Sequence, residues 1–167
     1  YQQVPFQYSL HILREPDAEL EHCEYLHRYL SNPMLGVIES LRENVGSEGS
    51  ILVWYESFEK TRNSEMAEIY PEAAAFLNRI NDRIIDLMKP FSQDMVRDAA
   101  FMGSSSIKKV LPVLVPDLSY ESLDIQEGVA AALKWKKVTL GEATETERTK
   151  VYSNLIDYCK LDTLAMV

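Results

Sequence analysis

A short, continuous apolar run from Ser50 to Tyr55 (S-I-L-V-W-Y) constrains the fold more than any other segment. Its length and composition predict a buried strand that is covered on both faces. The segment before it, Pro33 to Val45, has apolar residues at helical spacing, and Asn32 before Pro33 predicts the helix start. A helix followed by a buried strand predicts an α/β domain with a central sheet.

A hairpin is predicted at the start of the chain. Apolar and polar residues alternate from Val4 to Leu13, which is the period of a half-buried strand. A turn signal at 14–17 follows, and Leu20 to His27 is interpreted as the second strand. The histidines His11, His22 and His27 lie on these strands, and we assign them no catalytic role.

Helices dominate the rest of the chain. We predict helices at Phe58 to Tyr70, Pro71 to about Met88 with Pro90 ending it, Ile125 to Val138, and Glu145 to the end. Ser92 to Ser106 is expected to be irregular. With 167 residues and no internal repeat, residues 1–167 are interpreted as a single domain.

Composition limits the functional classes. No apolar run approaches the ~20 residues that a membrane helix needs, so no membrane partner is expected. Cys23 and Cys159 lack metal-ligand spacing, which favours free thiols and a reducing, cytoplasmic location. The net charge of −9 argues against a general nucleic-acid coat protein, although carboxylates that hold metal ions would themselves add negative charge.

Two acidic segments have spacing that suits phosphodiester chemistry. Tyr158 and Asp162 lie one helical turn apart, so the carboxylate could hold a divalent cation while the phenol orients a water. Glu59 lies in the first turn of a helix that follows the buried strand, where ligands bind in open α/β sheets. Simpler interpretations are a half-buried Tyr beside a solvated Asp, and a Glu59 that complements the helix dipole while Ser57 caps the helix.

Together these segments resemble two motifs of the DEDD-type 3′–5′ exonucleases. Tyr55-Glu56-Ser57-Phe58-Glu59 resembles the second motif, in which Phe-Asp opens a helix after a strand. Tyr158-Cys159-Lys160-Leu161-Asp162 resembles the third motif of the tyrosine subclass. The histidine subclass would have His at position 157, which is Asp here.

The resemblance extends to a bacterial family of unknown function placed among these exonuclease-like domains. The segments that carry it are Tyr1 to Leu13, residues 57–62, residues 103–112 and Asp157 to Val167, and the resemblance covers nearly the whole chain. It implies a ribonuclease H-like α/β fold, with a mixed sheet flanked by helices, that is truncated at its N-terminus. It also implies Mg²⁺ or Mn²⁺ as the cofactor and nucleic acid as the substrate.

Two departures from the exonuclease pattern matter. Glu59 stands where the second motif has Asp, and the first motif, Asp-x-Glu on a strand, is absent and would precede Tyr1. The matching metal ligands are then Glu59 and Asp162, with Asp86 as a lesser candidate that a capping role would also explain. We therefore expect a weakly occupied cation site between Glu59 and Asp162 and no activity from this chain alone.

Basic and hydroxyl side chains near these motifs are candidates for binding nucleic acid. They are Lys60, Arg62, Ser105, Lys108 and Lys109. Lys134, Lys136 and Lys137 around Trp135 suggest base stacking beside positive charge. The simpler interpretations are a capped helix start with a solvated face and a helix with one buried Trp.

Two other functions remain open from the sequence. The first is a non-catalytic module that binds nucleic acid or protein through the same fold, which the acidic charge and Glu59 favour. The second is a structural domain that dimerises through the sheet edge exposed by a missing strand.

Overall fold

The computed structural model describes residues 3–141 and 143–167. The strands are β1 (Gln7–Ile12), β2 (Glu21–Leu26), β3 (Ile51–Val53) and β4 (Ile84–Asp86). The α-helices are α1 (Pro33–Asn44), α2 (Glu56–Ile69), α3 (Pro71–Arg83), α4 (Lys89–Ser92), α5 (Ile107–Leu114), α6 (Gly128–Leu140) and α7 (Glu145–Leu164). A 3₁₀ helix covers Ala99–Phe101. The chain is thus a mixed α/β protein, as predicted.

The chain divides into two compact units. We call residues 5–37, 120–165 and 167 the terminal unit, and residues 3–4, 38–119 and 166 the middle unit. Among the described residues, each unit contains one two-stranded sheet, where a single mixed sheet was expected. No helix in the described ranges combines the length and apolar character needed to cross a membrane.

The terminal unit is built on the predicted hairpin. Strands β1 and β2 are antiparallel, with Leu10 opposite Cys23 and His11 opposite His22, so this prediction is confirmed. Trp135 of α6 stacks on Phe6 with ring centroids 4.5 Å apart, and its Nε1 donates to the backbone oxygen of His27 at 2.7 Å. Helix α7 contributes the fully buried Leu155 to this core.

The middle unit packs α2 and α3 beside a parallel strand pair. Ile51 pairs with Ile84 and Val53 with Asp86. Met66 of α2 and Leu77 of α3 are buried, and the side-chain amide of Asn63 donates to Asn81 Oδ1 at 2.8 Å between the two helices. Apolar contacts and hydrogen bonds centred on Asn81, which also donates to the backbone oxygen of Lys60, therefore hold the helices together.

Helix α1 confirms the predicted start signal. It begins at Pro33, and the backbone N–H of Met34 donates to Asn32 Oδ1 at 3.0 Å. The helix has Pro in its first turn, where the missing N–H leaves no partner unsatisfied.

Three predictions about the middle unit were wrong. Strand β3 is not covered on both faces, because Leu52 and its neighbour Ile85 in β4 are 45 % and 48 % exposed. Helix α3 ends at Arg83 rather than near Met88, because the β-branched pair Ile84 and Ile85 joins β3 instead. Pro90 does not end a helix but lies in the first turn of α4, a position that tolerates proline.

Candidate functional site

The start of helix α2 is the first part of the candidate site, and it lies in the middle unit. Strand β3 ends at Val53, and Tyr55 then takes the left-handed conformation with φ of 81°. The backbone N–H groups of Tyr55 and Glu56 each donate to the Asp86 carboxylate at 3.0 Å. The cap of α2 is therefore Asp86, at the end of β4. The simpler interpretation, in which Ser57 caps the helix, was wrong because Ser57 already lies inside it.

Asp86 is buried, and a third backbone donor engages it. The N–H of Met88 donates to Asp86 Oδ1 at 2.9 Å. A carboxylate offers about four acceptor positions, so three backbone bonds use most of them. Asp86 thus acts in the structure as the buried cap that joins β4 to α2, and its proposed metal-binding role remains a prediction.

Glu59 lies in the first turn of α2, directly after β3, as predicted. This places its carboxylate in the positive field of the helix N-terminus. Its neighbour Glu56 forms ion pairs with Lys60 at 2.9 Å and with Lys89 at 2.5 Å. Hydrogen bonds from Lys89 and Lys60 hold the pKa of Glu56 below its usual value. Glu56 therefore remains charged beside Glu59 near neutral pH.

The second part of the candidate site lies on α7 in the terminal unit. Tyr158 is buried, and its phenol is hydrogen-bonded to Asp162 one turn later, so the two side chains do share a face. The phenol of Tyr120 also donates to Asp162 Oδ1, at 2.6 Å. Sequence reasoning missed Tyr120, because it precedes α6 and no local pattern links it to a residue on α7.

The two phenols are donors rather than bases. Burial, followed by the negative charge of Asp162, raises the pKa of Tyr120 and of Tyr158 well above the usual range. Both therefore stay protonated near neutral pH. Tyr158 can orient a neighbouring group through a hydrogen bond, but it cannot accept a proton from a water.

The five nucleic-acid contacts predicted near the acidic motifs lie in the middle unit, and most of them form contacts within it. Lys60 pairs with Glu56, while Arg62 pairs with Glu65 at 3.0 Å and lies over the Phe58 ring. The backbone oxygen of Ser105 accepts from Trp54 Nε1 at 3.0 Å. Lys108 is half-buried and Lys109 is exposed on α5. Their binding of nucleic acid remains a prediction.

Trp135 cannot serve as the predicted stacking platform for bases. Its ring is buried against Phe6 in the core of the terminal unit, and its only ring donor is used by His27. The lysines that flank it on α6 point away from this buried face because they lie at other helical positions.

A polar cluster on the hairpin is a further group that the sequence did not single out. Ser9 Oγ lies 2.9 Å from His22 Nε2 and 2.8 Å from Thr163 Oγ1, which is 2.9 Å from His11 Nδ1. The rings of His11 and His22 are 4.5 Å apart, and burial, with His22 and Lys160 nearby, lowers the pKa of His11. The bonds to Thr163 tie the end of α7 to the hairpin.

Residues 3–141 and 143–167 contain no group of three or more His, Cys, Asp or Glu side chains placed to hold a metal ion. Glu59 and Asp86 lie in the middle unit, and Asp162 lies in the terminal unit.

Comparisons with known proteins place the chain in a family. It is 32 % identical over 150 residues to the "Uncharacterized protein MG366" of Mycoplasma genitalium, covering 81 % of this chain and 22 % of that protein. The homologue from Mycoplasma pneumoniae is 30 % identical over 142 residues, covering 78 % of this chain and 21 % of that protein. The chain thus spans about a fifth of the length of these relatives.

No solved structure matches the chain. A family model described as "Domain of unknown function (DUF2779)" matches residues 1–106, which include Glu59 and Asp86, while Tyr158 and Asp162 lie beyond the match. The predicted resemblance to a bacterial family of unknown function is confirmed, and the chain belongs to the DUF2779 family.

Proposed function

We propose that this chain is part of a metal-dependent nuclease domain of the ribonuclease H-like, DEDD exonuclease class, in a protein longer than these 167 residues. The observation that carries the proposal is the contact between Tyr158 and Asp162 on one face of α7. In this arrangement the carboxylate can hold a cation, and the phenol one turn earlier can orient a nucleophilic water through a hydrogen bond.

The position of Glu59 adds support to the proposal. It lies at the carboxyl end of a strand in a parallel pair, and in the first turn of the helix that follows. Ligands bind at this position in open α/β sheets. In the proposal, Glu59 and Asp162 supply metal ligands, and Tyr158 orients the attacking water.

The described residues do not by themselves supply all the ligands that this proposal requires. A two-metal clamp needs more carboxylates than Glu59 and Asp162, and Asp86 is occupied as a helix cap. The additional ligands would have to come from other residues of the longer protein. We therefore expect this chain alone to bind Mg²⁺ or Mn²⁺ weakly and to be inactive.

A second candidate is a non-catalytic module that binds nucleic acid or protein. The observation that favours it is the use of the candidate residues in structural bonds. Asp86 caps α2, Asp162 accepts from Tyr120, and Arg62 pairs with Glu65. In this alternative, the acidic residues stabilise the fold and contact no substrate.

A nuclease assay on a longer DUF2779 protein that includes this chain separates the two candidates. The substrates are 5′-labelled single-stranded DNA and RNA, with Mn²⁺ as the cation. We expect Asp162→Ala to lower the rate about 100-fold or more, because a metal ligand is lost. The control is Asp157→Ala, which removes an exposed carboxylate from another face of α7. Full activity of Asp162→Ala, or no activity in the parent protein, would favour the non-catalytic module.

A further inference from the structure

Helix α6 has apolar residues on two opposite faces. Its inner face packs Ala131, Trp135 and Val138 into the core of the terminal unit. Its outer face carries Val129, Leu133 and Leu140, which are between 47 % and 74 % exposed. A helix at a protein surface ordinarily carries polar residues on its outer side, so this second apolar face is expected to have a partner.

The outer residues form one continuous stripe. Positions 129, 133, 136 and 140 are separated by four, three and four residues, which places them on a single line along the helix. Lys136 is the polar member of this line. The spacing matches the pattern by which one helix receives another in a groove.

The loop after β2 extends the stripe at its C-terminal end. Tyr29 and Leu30 are 72 % and 79 % exposed, and with Leu140 they line an open cleft of about 530 Å³. We call the stripe and this loop the α6 surface, formed by Tyr29, Leu30, Val129, Leu133, Lys136 and Leu140. All of these residues belong to the terminal unit.

Positive charge borders the α6 surface, although the chain as a whole carries −9. Arg28 and Arg148 line the cleft, and Lys136 and Lys137 lie on the helix. Arg28, Lys136 and Arg148 form no ion pair with another described residue. Arg28 lies over the Tyr152 ring, 5.3 Å from its centroid, which fixes its position.

We propose that the α6 surface binds an acidic amphipathic helix from a separate protein. Apolar residues spaced three, four and seven apart on that helix would cover Leu133, Leu140 and Tyr29, and flanking carboxylates would pair with Arg28, Lys136 and Arg148. The charge pattern argues for this partner, because an apolar stripe bordered by cations complements an apolar stripe bordered by anions.

Other kinds of partner fit the surface less well. An anionic membrane would repel a chain with net charge −9, and four cations are at the lower limit of a lipid-binding cluster. A nucleic-acid backbone would leave the exposed leucines and valine without contacts. The proposal is independent of the nuclease assignment, since it involves none of the catalytic or metal-binding candidates Glu59, Asp86, Tyr158 and Asp162.

The test uses a defined probe, an 18-residue peptide with leucines on one helical face and glutamates on the other. We expect it to bind the ¹⁵N-labelled chain with a Kd of about 10–100 μM and to shift the resonances of the α6 surface. A peptide with lysines in place of the glutamates, and one with the leucines redistributed around the helix, should bind at least about tenfold more weakly.

Variants of the protein test whether the peptide binds at the α6 surface. Leu133→Glu should weaken binding of the acidic peptide by about tenfold or more. Leu114→Glu, at another exposed leucine in the middle unit, should not. Both replaced side chains are exposed, so both variants should keep the wild-type fold, with changes in the ¹⁵N spectrum confined to resonances near the substitution. Equal binding of the acidic and basic peptides, or unchanged binding by Leu133→Glu, would overturn the proposal.

Three further measurements address the other possible occupants. If phosphatidylserine vesicles or single-stranded DNA displaced the peptide, the α6 surface would be a membrane-binding or nucleic-acid-binding site instead, and the proposal would be wrong. Sedimentation that shows a dimer abolished by Leu133→Glu would indicate a second copy of the chain instead. Failure of a longer family member to bind the peptide would show that its own residues cover the surface, and would also overturn the proposal.

Discussion

The phenol of Tyr120 donates a 2.6 Å hydrogen bond to Asp162 Oδ1, joining two residues that are 42 positions apart in the chain. Tyr158 binds the same carboxylate from one turn earlier on α7. Asp162 is therefore held between two phenols in the terminal unit. Any catalytic role of this carboxylate depends on a position that Tyr120 helps to fix.

Replacing Tyr120 with Phe should destabilise the protein by about 1.5–3 kcal/mol, because a hydrogen bond to a part-buried carboxylate is lost. Urea unfolding followed by the fluorescence of Trp135, in a Trp54→Phe background, measures this change in the same unit. The matched control is Tyr29→Phe, since Tyr29 is exposed. Equal unfolding midpoints for the two variants would contradict the structural role of the Tyr120 hydroxyl.

Alkaline titration should show two tyrosines that ionise late. The chain has nine tyrosines, and the folded protein raises the pKa of Tyr120 and Tyr158 above the value of about 10 for an unfolded chain. Their contribution to stability is therefore fully present below about pH 10 and is lost as the pH rises toward the folded-state pKa.

Phenolate absorbance at 295 nm measures this effect. In the double variant Tyr120→Phe/Tyr158→Phe, the absorbance gained before alkaline unfolding should stay unchanged, while the step that accompanies unfolding should shrink by two phenolates. If the double variant instead gained less absorbance than the wild-type protein near pH 10, before unfolding, these phenols would ionise normally in the folded protein.

Asp86→Ala should destabilise the protein by about 3 kcal/mol, because three backbone N–H groups lose their acceptor in a buried setting. Asp82→Ala is the control, since Asp82 is an exposed carboxylate on the neighbouring helix α3. Thermal unfolding monitored by circular dichroism compares the two. If both variants unfold at the same temperature, the cap on α2 contributes little.

Tyr55→Gly should stabilise the protein by about 0.5–1 kcal/mol. Tyr55 has φ of 81°, which costs a residue with a Cβ about 1–2 kcal/mol, and glycine recovers this energy apart from its larger entropy loss on folding. The side chain is half exposed, so little apolar burial is lost. Tyr55→Ala is the control because it keeps the Cβ. Thermal unfolding compares the two variants. If the alanine variant were as stable as the glycine variant, backbone strain at position 55 would not explain the effect.

Local patterns predicted the elements whose signals lie within one segment. The alternation in β1, the Asn-Pro start of α1 and the periodicity of α7 each describe a neighbourhood of a few residues, and each element was found. The position of Glu59 in the first turn of α2 followed from the same kind of signal.

Features that depend on distant partners were not predicted. Strand β4 is three residues long, too short for a period of two to be visible, and pairing with β3 defines it. Asp86 caps a helix that starts 30 residues before it, and Tyr120 reaches Asp162 across α6. No local spacing encodes these contacts, since the fold brings the partners together.

The distance between the Glu59 and Asp162 carboxylates tests the nuclease proposal most directly. It can be measured in a crystal structure, grown with Mn²⁺, of a longer DUF2779 protein that includes this chain. The proposal predicts that both carboxylates ligate the same ion, or two ions about 4 Å apart. Carboxylates more than about 12 Å apart, well beyond the span of a two-metal site, would contradict it.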